Sequence, residues 1–136
     1  MKNILIVDDN KFVIETLVLI LASCMHDVSF RTAANGKDAV EVLASSSVDL
    51  ILTDLMMPVM DGYQLIEHRN RYYPQVPLMA MTADASPHVI DKLSELGITD
   101  CLEKPFHYET ISRMILNKLV PGKPAPVLHA ESAPCL

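Results

Sequence analysis

Five short apolar runs alternate with five segments of helical periodicity, and this alternation limits what the chain can fold into more than any other feature. The runs fall at 4–7, 28–32, 50–52, 77–81 and 98–102, and the periodic segments at 11–25, 36–45, 62–72, 87–96 and 107–119. Strands separated by helices cannot close hairpins. They are expected to pair in a parallel sheet, with right-handed crossovers and helices on both faces. The expected fold class is therefore α/β, a doubly wound (βα)5 architecture.

The runs at 4–7 and 50–52 are continuously apolar, as central strands covered on both faces should be, whereas Val28-Ser29-Phe30-Arg31-Thr32 alternates. The second strand is thus expected at an edge. A five-stranded order of 2-1-3-4-5 sets the carboxyl ends of the first and third strands side by side, and open α/β sheets bind ligands at that switch point.

A chain of 136 residues fits one core, since two would each fall near the size at which burial barely offsets chain entropy. We expect one domain over 1–120. Beyond it the composition turns to Pro-Gly-Lys-Pro-Ala-Pro and ends in Glu-Ser-Ala-Pro-Cys-Leu, so 121–136 reads as a Pro-rich tail or a linker stub. The formal charge of −6, with Lys and Arg scattered, speaks against direct nucleic-acid binding. Cys24, Cys101 and Cys135 have no CxxC spacing, so neither a disulfide framework nor a zinc site is expected, and a reducing, cytoplasmic location fits. Two acids interrupt the first apolar run before a signal-peptide core can form. The most apolar helical stretch, Phe12 to Leu21, is about half the length of a membrane span and contains Glu15. No membrane association is expected.

Asp8 and Asp9 follow the first strand and Asp54 ends the third, so a parallel sheet gathers three carboxylates at one edge. Their mutual repulsion calls for a cation, and carboxylate oxygens with room for water suit Mg²⁺. Taken alone, Asp8-Asp9 reads better as a capping loop before the segment at 11–25, and it is Asp54 that shifts the balance. Lys104 follows the fifth strand, from where its ammonium can reach an anion beside Asp54. Thr82 ends the fourth strand, either as a hydroxyl donor to a phosphate oxygen or as a β-branched residue finishing a buried strand. The coincidence carries the weight, because an acid pair, an acid, a hydroxyl and a lysine each fall at the carboxyl end of a strand.

With these residues in place, the chain resembles the response-regulator receiver domain of two-component phosphorelays over 1–119. The resemblance rests on Val7-Asp8-Asp9, on Thr53 through Gly62 (Thr-Asp-Leu-Met-Met-Pro-Val-Met-Asp-Gly), on Met81-Thr82-Ala83 and on Glu103-Lys104-Pro105-Phe106. It implies a flavodoxin-like sheet and a phosphoryl group accepted on Asp54 from a sensor histidine kinase or a histidine phosphotransfer protein. It also implies Mg²⁺ held by Asp9, Asp54 and the backbone carbonyl of Met56, with Asp8 acting through a water on the ion. Lys104 would pair with the phosphoryl group and Thr82 would hydrogen-bond it, while the Lys104-Pro105 bond resembles the family's cis peptide. Such a domain is not an enzyme on other molecules. It signals to a downstream output through the surface of 87–96, 98–102 and 107–119.

One position departs from that pattern. Receivers commonly carry an aromatic residue three positions before the lysine, whose rotamer reports phosphorylation, and here it is Cys101. How the signal is relayed is left open, while the phosphorylation chemistry is untouched. The segment at 11–25 is apolar around more than half its circumference, either for deep packing or for docking a helical phosphodonor. The methionines read mainly as core filling, with Met56 over the site, and the five histidines as surface residues. Gly62 fits a tight turn, a weak signal before any helix. A phosphohydrolase would need a second acid at Met56, and a flavin site would need a Ser/Thr/Gly phosphate loop where Asp8-Asp9-Asn10 stands.

Overall fold

A computed structural model describes residues 1–119. The tail expected over 121–136 lies outside the described residues. The elements are β1 (Lys2–Val7), α1 (Lys11–Cys24), β2 (Val28–Ala33), α2 (Gly36–Ser45), β3 (Leu50–Asp54), α3 (Gly62–Tyr72), β4 (Leu78–Thr82), α4 (Pro87–Glu95), β5 (Cys101–Glu103) and α5 (Tyr108–Leu119). All strand pairs are parallel and the order is β2-β1-β3-β4-β5, as the alternation of runs requires. The alternating strand β2 lies at an edge.

Side-chain alternation along the strands splits the interior into two layers. Leu5, Val7, Ile51, Leu78 and Ala80 face Ala39 and Leu43 of α2, Leu65 and Ile66 of α3 and Leu93 of α4. Ile4, Ile6, Leu50, Leu52, Met79 and Met81 face Leu17 and Leu21 of α1 and Ile111, Ile115 and Leu119 of α5. Each of these large buried side chains contributes roughly 1.5–3 kcal/mol. The sheet is thereby held rigidly from both sides, and its carboxyl edge becomes a fixed platform.

The helix starts are specified locally. Asn10, Asn35 and Asp61 each accept a hydrogen bond from a backbone N–H of the first turn, and Asp61 forms a reciprocal capping box with Gln64. Three of the five βα loops at the ligand-binding edge are therefore pinned at their helical end by a side-chain cap.

One expectation needs correction. The fifth strand begins at Cys101, not at 98. Gly97, with φ of +82°, ends α4 in a Schellman motif, in which Ile98 N–H donates to the Leu93 carbonyl and Gly97 N–H to that of Ser94. Ile98 is buried because it folds back onto Leu93, so an apolar run that resembled strand is the tail of a helix cap. Among the described residues, Cys101 is a free, half-buried thiol.

The apolar circumference of α1 is divided. Leu17 and Leu21 are fully buried, Val13, Ile14, Val18 and Ile20 pack half-buried against the same layer, and Phe12 and Leu19 point outward at 75% and 72% exposure. Among the histidines, His68 is half-buried, with its ring 4.8 Å from that of Tyr72; His26, His88 and His107 are exposed, and His129 lies outside the described residues.

Candidate functional site

Asp8, Asp9, Asp54, Thr82 and Lys104 converge at the carboxyl edge of the sheet. β1 and β3 pair with Val7 opposite Thr53, so the residues that follow, Asp8 and Asp54, emerge side by side. One carboxylate oxygen from each of Asp8, Asp9 and Asp54 lies within 4.8 Å of the others. Asp8 is 1% exposed and Asp54 9%, while Asp9 faces solvent.

Lys104 Nζ donates to Asp8 Oδ2 at 2.8 Å and stands 3.5 Å from Asp54 Oδ1. The sequence placed this ammonium beside Asp54, and the geometry gives its shorter bond to Asp8. It is delivered by β5 and the Lys104-Pro105 peptide, which is cis, and Lys104 N–H donates to the Thr82 carbonyl at 2.8 Å. Three carboxylates thus face one ammonium. Burial pushes the Asp54 carboxyl above its usual range and Asp8 pushes it further, while Lys104 and the Leu55 N–H, which donates to Asp54 Oδ1 at 2.9 Å, pull it back. A cluster of hard oxygen donors balanced by only one ammonium fits a divalent cation.

The backbone around Asp54 is close-packed. Thr53 Oγ1 donates to the Asp54 carbonyl at 2.9 Å, and Gly62 N–H donates to the Leu55 carbonyl at 3.0 Å. A Cβ on Gly62 would lie 2.7 Å from Leu55 Cα and closer still to the Asp54 carbonyl oxygen. The glycine that seemed a weak signal is required, because the first residue of α3 presses directly on the backbone of Asp54. Between them, Val59 has φ of +70° and the Met60 N–H donates back to the Pro58 carbonyl at 2.8 Å. Gly36 N–H then clasps the Met60 carbonyl at 2.8 Å, tying the start of α2 to this loop. These contacts were hidden in the sequence, where Gly62 reads only as a tight turn and Gly36 gives no signal.

Thr82 is 6% exposed, and its hydroxyl both donates to the Asp84 carbonyl and accepts from the Asp84 N–H, each at 3.0 Å. The hydroxyl is close to the site but engaged with the loop before α4. Met56, two residues after Asp54, has its side chain 74% exposed. A cleft of about 420 Å³ runs from Asp8 and Asp9 past Lys11, Glu15 and Asp38. Its acidic lining and the use of Asn10 N–H by Asp8 Oδ1 at 2.9 Å leave no phosphate cradle in the β1–α1 loop, which is what a flavin nucleotide would need.

The response regulator receiver domain is the family description that matches residues 4–116. Among curated proteins, the chain is 32% identical over 112 residues to the sensor histidine kinase RcsC of Escherichia coli, covering 82% of this chain and 12% of that protein. It is 33% identical over 128 residues to the autoinducer 1 sensor kinase/phosphatase LuxN of Vibrio campbellii, covering 94% and 15%. The chain therefore spans only about an eighth of the length of such relatives. Its fold resembles that of the chemotaxis protein CheY4 of Vibrio cholerae, with a TM-score of 0.79 at 28% identity over 88% of this chain and 99% of that one. The signal receiver domain of an HD domain-containing protein from Pseudomonas fluorescens gives a TM-score of 0.80 at 26% identity, covering 87% and 94%.

Proposed function

The chain belongs to the response regulator receiver domain family, and on that premise we propose that Asp54 accepts a phosphoryl group from a phosphohistidine. The donor would be a sensor histidine kinase or a histidine phosphotransfer protein. The observation that carries the reading is the convergence of Asp8, Asp9 and Asp54 within 4.8 Å, with Lys104 bridging Asp8 and Asp54.

In the transfer an Asp54 carboxylate oxygen attacks phosphorus, the P–O bond forms and the P–N bond to the donor imidazole breaks, leaving an acyl phosphate. Phosphoryl transfer asks for positioning and charge neutralisation rather than added covalent chemistry. Asp9 and Asp54, with the Met56 backbone carbonyl and with Asp8 behind them, are the residues that would hold Mg²⁺, which supplies neutralisation and orientation when bound. Lys104 would shift its shorter bond from Asp8 to the new anion, a movement favoured by the added charge of roughly −1.5 to −2. Thr82 would exchange its Asp84 partners for a phosphoryl oxygen.

The domain would act only on itself, with no other substrate, and pass the signal to an output domain or protein through α4, β5 and α5. No helix of the described residues is long and apolar enough to cross a membrane. A cytoplasmic setting, with neither nucleic acid nor membrane bound directly, completes the reading. Calorimetric titration with beryllofluoride in the presence of Mg²⁺ tests it. The parent should bind and Asp54→Asn should not; a silent parent, or equal binding by the variant, would refute the assignment.

A further inference from the structure

Position 101 carries a cysteine where an aromatic ring would be expected to report on the site, yet an aromatic ring does occupy that neighbourhood. Tyr63, the second residue of α3, lies half-buried against the same core layer as Cys101 and as Val89, Leu93 and Leu96 of the α4 region. Lys92 of α4 places its ammonium 4.0 Å from the centre of the Tyr63 ring. That distance is well within the range of a cation–π attraction. Burial raises the Tyr63 phenol above its usual value, with Asp61, Cys101 and Asp84 adding to it, so the ring sits among the acids of the loops that flank the site.

Two observations make this contact more than packing. Gly62, joined covalently to Tyr63, abuts the backbone of Asp54, so a change at Asp54 reaches the ring through a single peptide unit. The start of α4 is also lightly held: Ser86 makes no side-chain cap bond, and the preceding loop is held by the two hydrogen bonds between Thr82 and Asp84 and by the Ser86 N–H donating to Asp84 Oδ1 at 3.1 Å. If Thr82 turns to an anion on Asp54, both bonds are lost. Lys92 on Tyr63 then remains between α3 and α4, together with the Asn70 side-chain amide that donates to the Leu96 carbonyl at 2.8 Å at the far end of α4.

We propose that Tyr63, through Lys92, is a positioning residue that latches α4 in the arrangement seen here and so sets how tightly the domain takes a phosphoryl group on Asp54. This rests on the assignment of Asp54 as phosphoacceptor. A contact biases a two-state equilibrium only by its energy difference between the states. A latch made in the unloaded arrangement therefore opposes loading, and removing it tightens loading.

The test is a double-mutant cycle with Lys92→Met, which keeps the aliphatic stem, and Tyr63→Leu, which keeps an apolar filler. Beryllofluoride is titrated with Mg²⁺ into each folded variant, the parent and Asp54→Asn. Each single variant should bind about two- to fivefold more tightly than the parent, and the double variant no more tightly than either single one. A merely structural role would lower thermal stability without tightening binding. Unchanged or weaker binding by the single variants, or additive effects in the double variant, would overturn the latch while leaving the Asp54 assignment intact. A parent that binds no beryllofluoride, or an Asp54→Asn variant that binds equally, would overturn both.

Discussion

Adding one methyl group at Gly62 should disturb both the fold and the site. In Gly62→Ala the new Cβ would fall 2.7 Å from Leu55 Cα and nearer still to the Asp54 carbonyl oxygen, where ordinary contact begins at 3.4 Å. Both obstructing groups are backbone, and Asp54 lies in a central strand, so neither can swing aside as a flexible side chain would. The start of α3 must back away from β3. That movement stretches the Gly62 N–H to Leu55 carbonyl bond, worth about 1 kcal/mol, and overpacking adds about 1–3 kcal/mol. Against this, alanine loses less chain entropy on folding, a gain of about 0.4–1 kcal/mol. The net loss is about 1–3.5 kcal/mol, read as a fall in Tm of about 4–15 °C for a domain of this length. Urea denaturation followed by circular dichroism measures the first quantity, and a thermal melt the second. Gly97→Ala is the control, because a Cβ there meets nothing within 4 Å and pays only for its φ of +82°. Beryllofluoride binding should weaken in Gly62→Ala and stay unchanged in Gly97→Ala. A Gly62→Ala protein within about 0.5 kcal/mol of the parent would refute the close approach of α3 to Asp54.

Other perturbations have definite signs. Asp54 has its folded pKa raised above 3.8 by burial and by Asp8, so the folded state holds its proton to higher pH than the unfolded state and stability falls as pH climbs through that window. Without divalent cation, Asp54→Asn should abolish this decline in urea midpoints and exceed the parent in stability at pH 7; an unchanged pH profile would contradict it. Lys104→Met should destabilise by about 1–3 kcal/mol, because it leaves Asp8 at 1% exposure without its ammonium. Added Mg²⁺ should restore part of that loss, and a melt that ignores Mg²⁺ would count against the cation reading. Val59→Gly should stabilise by about 0.5–1 kcal/mol, since a β-branched residue at φ of +70° pays a left-handed cost that glycine avoids. A lower midpoint in Val59→Gly would show that the turn is not strained.

Much of the site could be read without coordinates because its residues sit at strand ends. A residue that ends a parallel strand has its place determined by strand order, so Asp8, Asp54, Thr82 and Lys104 could be brought to one edge from spacing alone. Partner choice within the cluster was less legible. Asp8 and Asp54 are both in reach of Lys104, and which of them takes the shorter bond depends on fractions of an ångström between loops far apart in the chain. The run at 98–102 misled for a different reason. Ile98 is apolar for either fate, and only the left-handed turn at Gly97 shows that it folds back onto Leu93.

What the sequence by itself determined is the architecture and the cast of the site: alternating periodicities impose a parallel sheet, and apolar runs of different character sort its centre from its edge. These are properties of neighbouring residues, which backbone geometry converts into topology. Only the tertiary structure decided how tightly α3 presses on Asp54, that Thr82 is held by Asp84, and that Tyr63 carries Lys92 near Cys101. Apart from the Thr82–Asp84 pair, those contacts cross between separate elements, and the energies of all of them depend on separations that no local pattern encodes.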